Sequence, residues 1–462
     1  MPPVAASTSW SVGVARRVIT PPLGQVELCG FGYYLNRVGE RIKDDLNATA
    51  IVIQNERKES MVLLALDLMA ADEDFTKSVR QQVAAETDIP ADAICVNCSH
   101  SHNAPVAAKM LGVGDVNPEY VAQVARLSAD AIIQAWRDKK PARLSVGSTD
   151  VAGFTFNRSR KDGPVDTRLS VLRADSLDGK PFAMAFNYHT HINAHLDADP
   201  RAISRDLPGE VIDQIENRHP GVTALFLQGT CGDVMLRPEF TSTERSFEPG
   251  RAIAKAVLEV LENCRPVKGG RIRMAKRTVK LPTRRWTREE LLADREEARH
   301  RLETGDTRDW LNGFAKVIVT YPDRLPQRYG GSVEKTVAAV SRFGMEWTDA
   351  ILPTLETRPE FIETEVQAFC CGDVWFIAHS TELFATLGLA VRGNWPHADL
   401  FMLGYANGCI GYLPDAYDIE RKSYAANQSP KFTGRFPFIA TSGDIMVAGM
   451  LETLDSLSPE SK

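Results

Sequence analysis

The sequence lacks an excess of basic residues and any long apolar segment. Its 462 residues include 54 lysines and arginines against 60 aspartates and glutamates, a formal charge of −6. Nucleic-acid binding needs a basic face that displaces the counterions of phosphate, so the charge argues against a nucleic-acid partner. No apolar run approaches the roughly 20 residues that span a bilayer. We therefore expect no membrane partner either.

A secretory signal is also missing from the first ten residues, which carry no charged region followed by an apolar core. We therefore expect a soluble, cytoplasmic protein. Of the eight cysteines, Cys95 and Cys98 lie in one apolar run, and Cys370 and Cys371 lie in another. Since no second pair follows at zinc spacing, the sequence predicts buried, reduced thiols.

Strand-like apolar runs alternate with segments whose apolar residues recur at helical spacing. Several runs are almost continuously apolar, which is typical of a sheet covered on both faces. The alternation predicts an α/β fold with a mixed central sheet flanked by helices. Gly372-Asp373, between two apolar runs, predicts a hairpin turn. The predicted strands are 60–68, 93–98, 143–147, 168–173, 181–188, 222–228, 366–378 and 399–404. The predicted helices are 74–86, 118–138, 207–217, 247–263 and 380–393.

One segment differs from the rest of the chain in composition. Residues 287–350 interleave glutamate with arginine and predict a helical insertion, either a solvated one or a lid or oligomer contact. A homo-oligomer is therefore one possible state. We expect residues 1–455 to form a single domain and residues 1–9 and 456–462 to be disordered.

Two His-x-His pairs directly follow predicted strands. His100 and His102 follow the predicted strand 93–98, and His189 and His191 follow the predicted strand 181–188. Residues two apart on an extended chain share one face, so each pair presents two imidazoles together. An open α/β sheet places its site at the carboxyl ends of its strands, and imidazole is the commonest metal ligand. The pairs predict a metal site that prefers zinc, with surface or capping histidines as the alternative.

These pairs and several polar loops resemble, in their order along the chain, the catalytic domain of the neutral and alkaline ceramidase family. Each motif is short, but their common order is specific, and the resemblance spans residues 10–455. The segments that carry it are SHSHNAP (99–105), FNRSR (156–160), NYHTHIN (187–193), ISRDLPGEV (203–211), QGTCGDV (228–234), STELFATLGL (380–389) and ANGCIGYLP (406–414).

The resemblance implies a zinc ion held by two histidines, a glutamate and a tyrosine. On this sequence the ligands are His100, Glu382, Tyr412 and one histidine of the second pair, with His191 favoured over His189. Nitrogen and anionic oxygen both suit zinc. Iron or manganese would also suit such a mixed set.

Family positions that contact the scissile group match three further residues, His102, Arg158 and Tyr424. Their donors would stabilise an oxyanion, a role that can supply several kcal/mol. Asp206 and Asp233, with His189 as a further candidate, would orient the ligands. The alternatives are a helix N-cap for Asp206 and a turn for Asp233.

Met235 departs from the family, which carries a catalytic serine directly after Gly-Asp-Val. A thioether neither takes up a proton nor attacks a carbonyl. Either another group replaces the serine or metal-activated water attacks without it. Because zinc lowers the pKa of bound water to about 7, we expect the water to attack. Met235 and Arg237 are expected to contact the substrate. Arg237 and Arg205 are candidates for selecting a polar or anionic substrate, and surface ion pairs are the alternative for both arginines.

The expected reaction is hydrolysis of an amide bond in a small-molecule substrate. We do not expect that substrate to be ceramide, because the chain ends near the catalytic domain, without the family's C-terminal β-sandwich, and no apolar stretch suits membrane lipid. One alternative keeps the zinc but cleaves a lactone, ester or glycosidic bond in carbohydrate or secondary metabolism. Another is an inactive ligand-binding homologue.

Overall fold

A computed structural model describes residues 10–30, 32–310 and 322–458. The strands are β1 (Trp10–Val18), β2 (Arg41–Ile42), β3 (Asn47–Gln54), β4 (Ser60–Leu66), β5 (Ile94–Cys98), β6 (Lys140–Asp150), β7 (Thr155–Asn157), β8 (Arg168–Ser176), β9 (Pro181–Tyr188), β10 (Ala202–Ile203), β11 (Thr223–Gln228), β12 (Val234–Leu236), β13 (Arg265–Pro266), β14 (Ile272–Pro282), β15 (Phe361–Cys371), β16 (Val374–His379), β17 (Glu382–Leu383), β18 (Leu400–Leu403) and β19 (Tyr412–Leu413). The α-helices are α1 (Glu73–Glu86), α2 (Pro118–Arg137), α3 (Leu207–Arg218), α4 (Glu248–Glu262), α5 (Arg288–Thr304), α6 (Val333–Ile351), α7 (Ala385–Asn394), α8 (Ala416–Glu420), α9 (Ser429–Phe432) and α10 (Ser442–Asp455).

Two sheets form the centre of the molecule. The larger has the strand order β11-β9-β8-β6-β1-β3-β4-β5, with β13 beside β6, and the smaller has the order β14-β15-β16-β18. Most neighbours are antiparallel, whereas β4–β5, β9–β11 and β16–β18 are parallel. The predicted turn at Gly372-Asp373 joins β15 to β16, where Cys371 pairs with Val374. The prediction of a mixed sheet is therefore confirmed.

The two sheets pack face to face, and helices cover their outer faces. Ile51 and Leu63 of the larger sheet share one buried cluster with Phe369 and Phe376 of the smaller sheet. Val52, which points the other way, packs with α1 and α2. Helices α3 and α4 cover the β8, β9 and β11 side, and α7 and α10 cover the smaller sheet.

The α/β class is thus confirmed, but each sheet has helices on only one face. The inner cover is a second sheet, which the sequence analysis did not predict. A strand buried on both faces is continuously apolar whether a helix or another sheet covers it. The apolar pattern alone therefore could not distinguish the two arrangements.

The predicted insertion at 287–350 corresponds to α5 and α6, which pack against each other. Its residues 311–321 lie outside the described residues, as do the predicted disordered ends at 1–9 and 459–462. Leu457 is buried in the cluster around α10, so the prediction of disorder is wrong at that position. None of the helices in the described part of the chain is long and apolar enough to cross a membrane.

The eight cysteines all lie within the described ranges as free thiols, and six of them are buried. Cys95 and Cys98 belong to the fully buried strand β5, as the apolar run predicts. Burial raises the pKa of the Cys95 thiol to about 12, which keeps it protonated near neutral pH.

Buried amide side chains tie several strand ends together at one edge of the two sheets. Asn97, in β5, donates to the carbonyl oxygens of Gln228 at 3.3 Å and Gly404 at 2.6 Å. Asn187, in β9, donates to the carbonyl oxygen of Met402 at 3.0 Å. The carboxyl ends of β5, β9, β11 and β18 therefore meet at one place, and the polar loops emerge there.

Candidate metal centre

The first His-x-His pair follows β5 in a strained turn. His100 has a φ of 67°, a left-handed conformation that typically costs about 1–3 kcal/mol and is concentrated at functional sites. Nδ1 of His100 lies 3.0 Å from the carbonyl oxygen of Met69, and Nδ1 of His102 lies 2.6 Å from that of Gly30. A Cβ atom at Gly30 would lie 2.6 Å from Nδ1 of His102, so the imidazole requires glycine there.

The second pair contributes His191, whose Nδ1 lies 2.7 Å from the carbonyl oxygen of Cys231. A carbonyl oxygen only accepts hydrogen bonds, so Nδ1 of His100, His102 and His191 must carry the hydrogen. Each Nε2 then presents a lone pair, and the three imidazoles converge. Nε2 of His100 and Nε2 of His102 are only 3.2 Å apart. Two acceptors at this distance repel each other, and a cation beside them would relieve that repulsion.

Glu382 and Tyr412 complete the cluster because the short parallel pairing of β17 with β19 sets them side by side. Oε2 of Glu382 lies 3.4 Å from Nε2 of His100 and 3.6 Å from Nε2 of His191. The Tyr412 hydroxyl lies 3.3 Å from Nε2 of His191. A Cβ atom at Gly232 would lie 2.4 Å from the carbonyl oxygen of Glu382, so this packing also requires glycine.

The spacing of these donor atoms fits a small divalent cation. Donors arranged tetrahedrally around zinc at its usual bond lengths lie about 3.3–3.6 Å apart. The distances from Glu382 to His100 and His191, and from His191 to Tyr412, fall in that range. The carbonyl contacts at Nδ1 are those that orient histidine ligands in metalloproteins.

Burial perturbs the titration of the whole cluster. It raises the pKa of Glu382 to about 7, against the opposing effect of Arg158. It lowers the pKa of His102 to about 3 and holds the pKa values of His100 and His191 well below the ordinary histidine value. Near neutral pH the three imidazoles are therefore unprotonated acceptors.

The lowered histidine pKa predicts how the metal-free protein responds to acid. The unfolded chain protonates His102 near its ordinary pKa of 6.5, but the folded chain does so only near 3. This contribution to stability is present above pH 6.5 and is lost as the pH falls toward 3. At pH 5 the loss is about 2 kcal/mol.

Glu382 acts in the opposite direction, because its raised pKa stabilises the fold at low pH and this contribution is lost as the pH rises through 7. The comparison of wild type with His102→Gln isolates the histidine. Denaturant unfolding in chelator at pH 7 and pH 5 should show wild type losing about 2 kcal/mol more than the variant. Equal losses would contradict the burial of this imidazole.

A cavity of about 530 Å³ opens beside the cluster. Pairing of β7 with β12 places Arg158 and Met235 on its wall. Arg158 donates to the Tyr412 hydroxyl at 2.6 Å, and its Nη1 lies 3.5 Å from the sulfur of Met235. Tyr424 packs edge-on to Tyr412 with ring centroids 5.9 Å apart. The cavity walls thus bring together His102, Arg158, Met235, Tyr412 and Tyr424, as the family resemblance implies.

Asp206 and Asp233, which were predicted to orient the metal ligands, accept hydrogen bonds from backbone N–H groups rather than from ligand side chains. Asp233 accepts hydrogen bonds from Asn157 and from the backbone N–H of Ala385, which ties its loop to the start of α7 just after Glu382. Asp206 caps α3 and accepts two more backbone N–H groups from the segment after the second histidine pair. Both therefore fix the loops that carry the cluster.

His189 lies outside the cluster, although it is fully buried. Its Nδ1 accepts from the backbone N–H of Thr230 at 2.9 Å, and its Nε2 faces Asp166 at 3.5 Å. The structure therefore brings His191, not its neighbour two residues earlier, to His100. The prediction that His189 orients a ligand needs correction, because its contacts lie with Asp166 and Thr230.

The two arginines predicted to bind substrate do not line the cavity. Arg237 is exposed, and its Nε donates to the carbonyl oxygen of Thr155 at 3.4 Å. Arg205 is buried and pairs with Asp44 and Asp213. The role predicted for both needs correction, because neither guanidinium lines the cavity: Arg237 faces solvent and Arg205 stabilises the loop before α3.

Tyr405 belongs to the cluster but was missed by the sequence analysis. Its ring packs on His100 with centroids 4.1 Å apart, and its hydroxyl donates to Glu382 at 3.3 Å. It also has a left-handed φ of 52°. Tyr405 directly follows the predicted strand 399–404, as each histidine pair directly follows a predicted strand. The same signal could therefore have found it.

Gln228, at the end of β11, was also missed. Its Nε2 donates to the carbonyl oxygen of Ser99 at 3.0 Å and to that of Thr190 at 2.9 Å. These residues directly precede His100 and His191, so one buried side chain holds both histidine loops in register.

Gln228→Leu should therefore loosen the metal centre. It leaves two buried carbonyl oxygens without partners, which should lower the free energy of unfolding by about 2–6 kcal/mol. Misplaced ligands should weaken metal binding about 10–100-fold, measured by competition with a chromophoric chelator. Gln123→Leu, at an exposed position on α2, is the matched control. A destabilised Gln228→Leu protein with wild-type metal affinity would contradict the positioning role.

Comparison with known proteins gives a matching family model and a matching fold. Residues 10–234 match a family model described as neutral/alkaline non-lysosomal ceramidase, N-terminal. The structure of a neutral ceramidase from Pseudomonas aeruginosa matches with a TM-score of 0.70 and 17% identity, over 97% of this chain and 74% of that chain. A ceramidase complexed with C2 matches with a TM-score of 0.70 and 15% identity, over 97% and 75%. These identities establish likeness of fold alone. A search of curated proteins gave no significant match.

Proposed function

Because residues 10–234 match the family model of neutral/alkaline non-lysosomal ceramidases, we propose that the protein is a metal-dependent hydrolase that cleaves an amide bond in a small polar substrate. The observation that carries the proposal is the convergence of His100, His102 and His191, each with Nδ1 bonded to a carbonyl oxygen and Nε2 aimed at Glu382 or its neighbours. Such a set of buried acceptors is built to hold a cation.

The proposed ion is zinc, held by His100, His191, Glu382 and Tyr412, because nitrogen and anionic oxygen donors at this spacing suit it. A bound divalent cation polarises a substrate carbonyl and lowers the pKa of water. A solvent-excluded cluster beside a cavity is the setting in which such polarisation is strongest.

The side chains on the cavity wall have separate roles. Arg158 keeps its charge, bonds the Tyr412 hydroxyl and faces the cavity, so it is positioned to stabilise the oxyanion that develops on the attacked carbonyl. Tyr424 supplies a second hydroxyl on the same wall. His102 departs from its predicted role as a donor. Its Nδ1 hydrogen is bonded to Gly30, so its Nε2 serves as an acceptor for a proton from water or substrate.

Met235 occupies the wall where the family carries its serine, so this position offers no nucleophile. Water is then the nucleophile, and no covalent acyl-enzyme should form at this position. The same residues would also hold the carbonyl of an ester or lactone. The missing serine does not distinguish an amide from either of these bonds. Ester or lactone hydrolysis is accordingly the second candidate.

The test loads purified protein with one equivalent of zinc and assays matched amide, ester and lactone substrates that share one acyl group. The proposal expects release of the amine, loss of activity in chelator and recovery with added zinc. Hydrolysis confined to esters or lactones would favour the second candidate. Bound zinc without hydrolysis of any substrate would indicate a ligand-binding homologue.

A further inference from the structure

A second cavity, of about 190 Å³, adjoins the cavity of the metal centre. The two share Asp197, Gln327 and Arg328 in their walls. The second cavity also presents Arg37 and Arg201. A group bound there would therefore belong to a molecule that can reach into the first cavity. We call the second cavity the arginine cavity.

Arg37 is the fixed element of the arginine cavity. Its side chain is only 4% exposed. Its Nε donates to the carbonyl oxygen of Pro200 at 2.7 Å, and its Nη2 donates to that of His102 at 2.8 Å. One guanidinium thus bridges the arginine cavity and the backbone of a residue in the metal centre. Its Nη1 donates to the carbonyl oxygen of Cys29 at 3.4 Å, so all three nitrogens are engaged and Arg37 contributes a fixed positive charge to the cavity.

Positive charge is in excess around this cavity. Among the described residues that line it, three are arginines and one, Asp197, is acidic. Arg201 pairs with Glu40 at 3.0 Å, and Arg328 lies 3.8 Å from Asp197, whose side chain is half exposed. Burial and the guanidinium groups of Arg328 and Arg201 lower the pKa of Arg37 to about 10. The cationic groups therefore repel one another, and a bound anion would relieve that repulsion.

We propose that the arginine cavity binds an anionic oxygen group, a carboxylate or a phosphate, of the substrate whose amide bond lies in the adjoining cavity. This inference rests on the proposed amide hydrolysis. Guanidinium groups suit either anion because their parallel N–H donors match two oxygen atoms at once. Arg328 lines both cavities, so the anionic group should lie a short distance from the scissile bond.

The experiment compares three substrates with one hexanoyl group. N-hexanoylethanolamine is neutral, N-hexanoylglycine carries a carboxylate, and N-hexanoyl-O-phosphoethanolamine carries a phosphate. We expect wild type to show a kcat/KM for at least one anionic substrate that is about 10–100-fold above that for the neutral one. The anionic substrate with the higher kcat/KM shows whether the cavity binds a carboxylate or a phosphate. Equal kcat/KM values for all three would overturn the inference.

Variants locate the preference. Arg328→Gln and Arg201→Gln should each reduce the anionic-to-neutral ratio about tenfold or more, and Arg328→Lys should restore part of it. Arg251→Gln, an exposed position on α4 that lines neither cavity, should keep the wild-type ratio. A preference that survives both glutamine variants would place the anion elsewhere and overturn the assignment.

Calorimetry with metal-free protein separates this inference from the proposed function. N-hexanoylglycine or the phosphate ester should bind more tightly than N-hexanoylethanolamine, and Arg328→Gln should abolish the difference. Anion-selective binding without hydrolysis by the zinc-loaded protein would contradict the proposed function and support the arginine cavity. Binding of inorganic phosphate alone, with no difference among the three substrates, would contradict its role in substrate binding.

Discussion

Glu382→Gln should remove the bound metal and lower kcat/KM at least about a thousandfold. The change replaces the anionic ligand of the cluster with a neutral amide of almost the same shape. Polarisation by a bound cation is worth several kcal/mol, and each 1.4 kcal/mol corresponds to about tenfold in rate. Metal content by mass spectrometry and the hydrolysis of the amide substrate measure the two effects.

The stability of the metal-free variant distinguishes lost ligation from misfolding. Burial raises the pKa of Glu382 to about 7, so at pH 6 most of the metal-free protein carries the neutral carboxyl form that glutamine imitates. We therefore expect no loss in the free energy of unfolding at pH 6. Glu262→Gln, at an exposed position in α4, is the control for the same chemical change. A Glu382→Gln protein that still holds one metal ion would contradict the ligand assignment.

Arg158→Lys should lower kcat about 100–1000-fold while the protein keeps its metal, since this is the usual loss when one oxyanion donor is removed. Lysine retains the charge but not the planar fork. Only the fork bonds the Tyr412 hydroxyl at 2.6 Å and the carbonyl oxygen of Gly232 at 2.9 Å while also facing the cavity. Steady-state kinetics and metal content are measured on the same preparation.

Arg160→Lys is the matched control, because Arg160 lies two residues away and pairs with Asp415 instead of lining the cavity. It should retain kcat. An Arg158→Lys protein that loses its metal together with its activity would show that Arg158 only stabilises the ligands. Unchanged kcat in that variant would remove it from the reaction altogether.

The sequence analysis located the site because its signals are local. A histidine pair directly after a buried strand is visible in a short window, and strand ends gather at one edge of a sheet. The choice between His189 and His191 is not local. It depends on the carbonyl oxygens of Cys231 and Val234, which lie 40 and 43 residues after His191 and accept from its imidazole. His191 was favoured through the family resemblance, on its spacing from Asn187, with His189 as a close rival.

Features that depend on residues far apart along the chain could not be predicted from the sequence. A continuously apolar strand does not reveal whether a helix or a second sheet covers it. The sequence around Gln228 does not indicate its role, because its side chain donates to the carbonyl oxygens of Ser99 and Thr190, which lie far from it along the chain. Arg37 and Arg328 are separated by nearly 300 residues, so no sequence window shows them lining one cavity.

A crystal structure of the zinc-loaded protein, with anomalous scattering recorded on both sides of the zinc absorption edge, tests the assignment of the metal ligands. We expect a single strong anomalous peak within coordination distance of His100, His191, Glu382 and Tyr412. A peak at any other place, or none at this cluster in protein shown to contain zinc, would contradict the assignment.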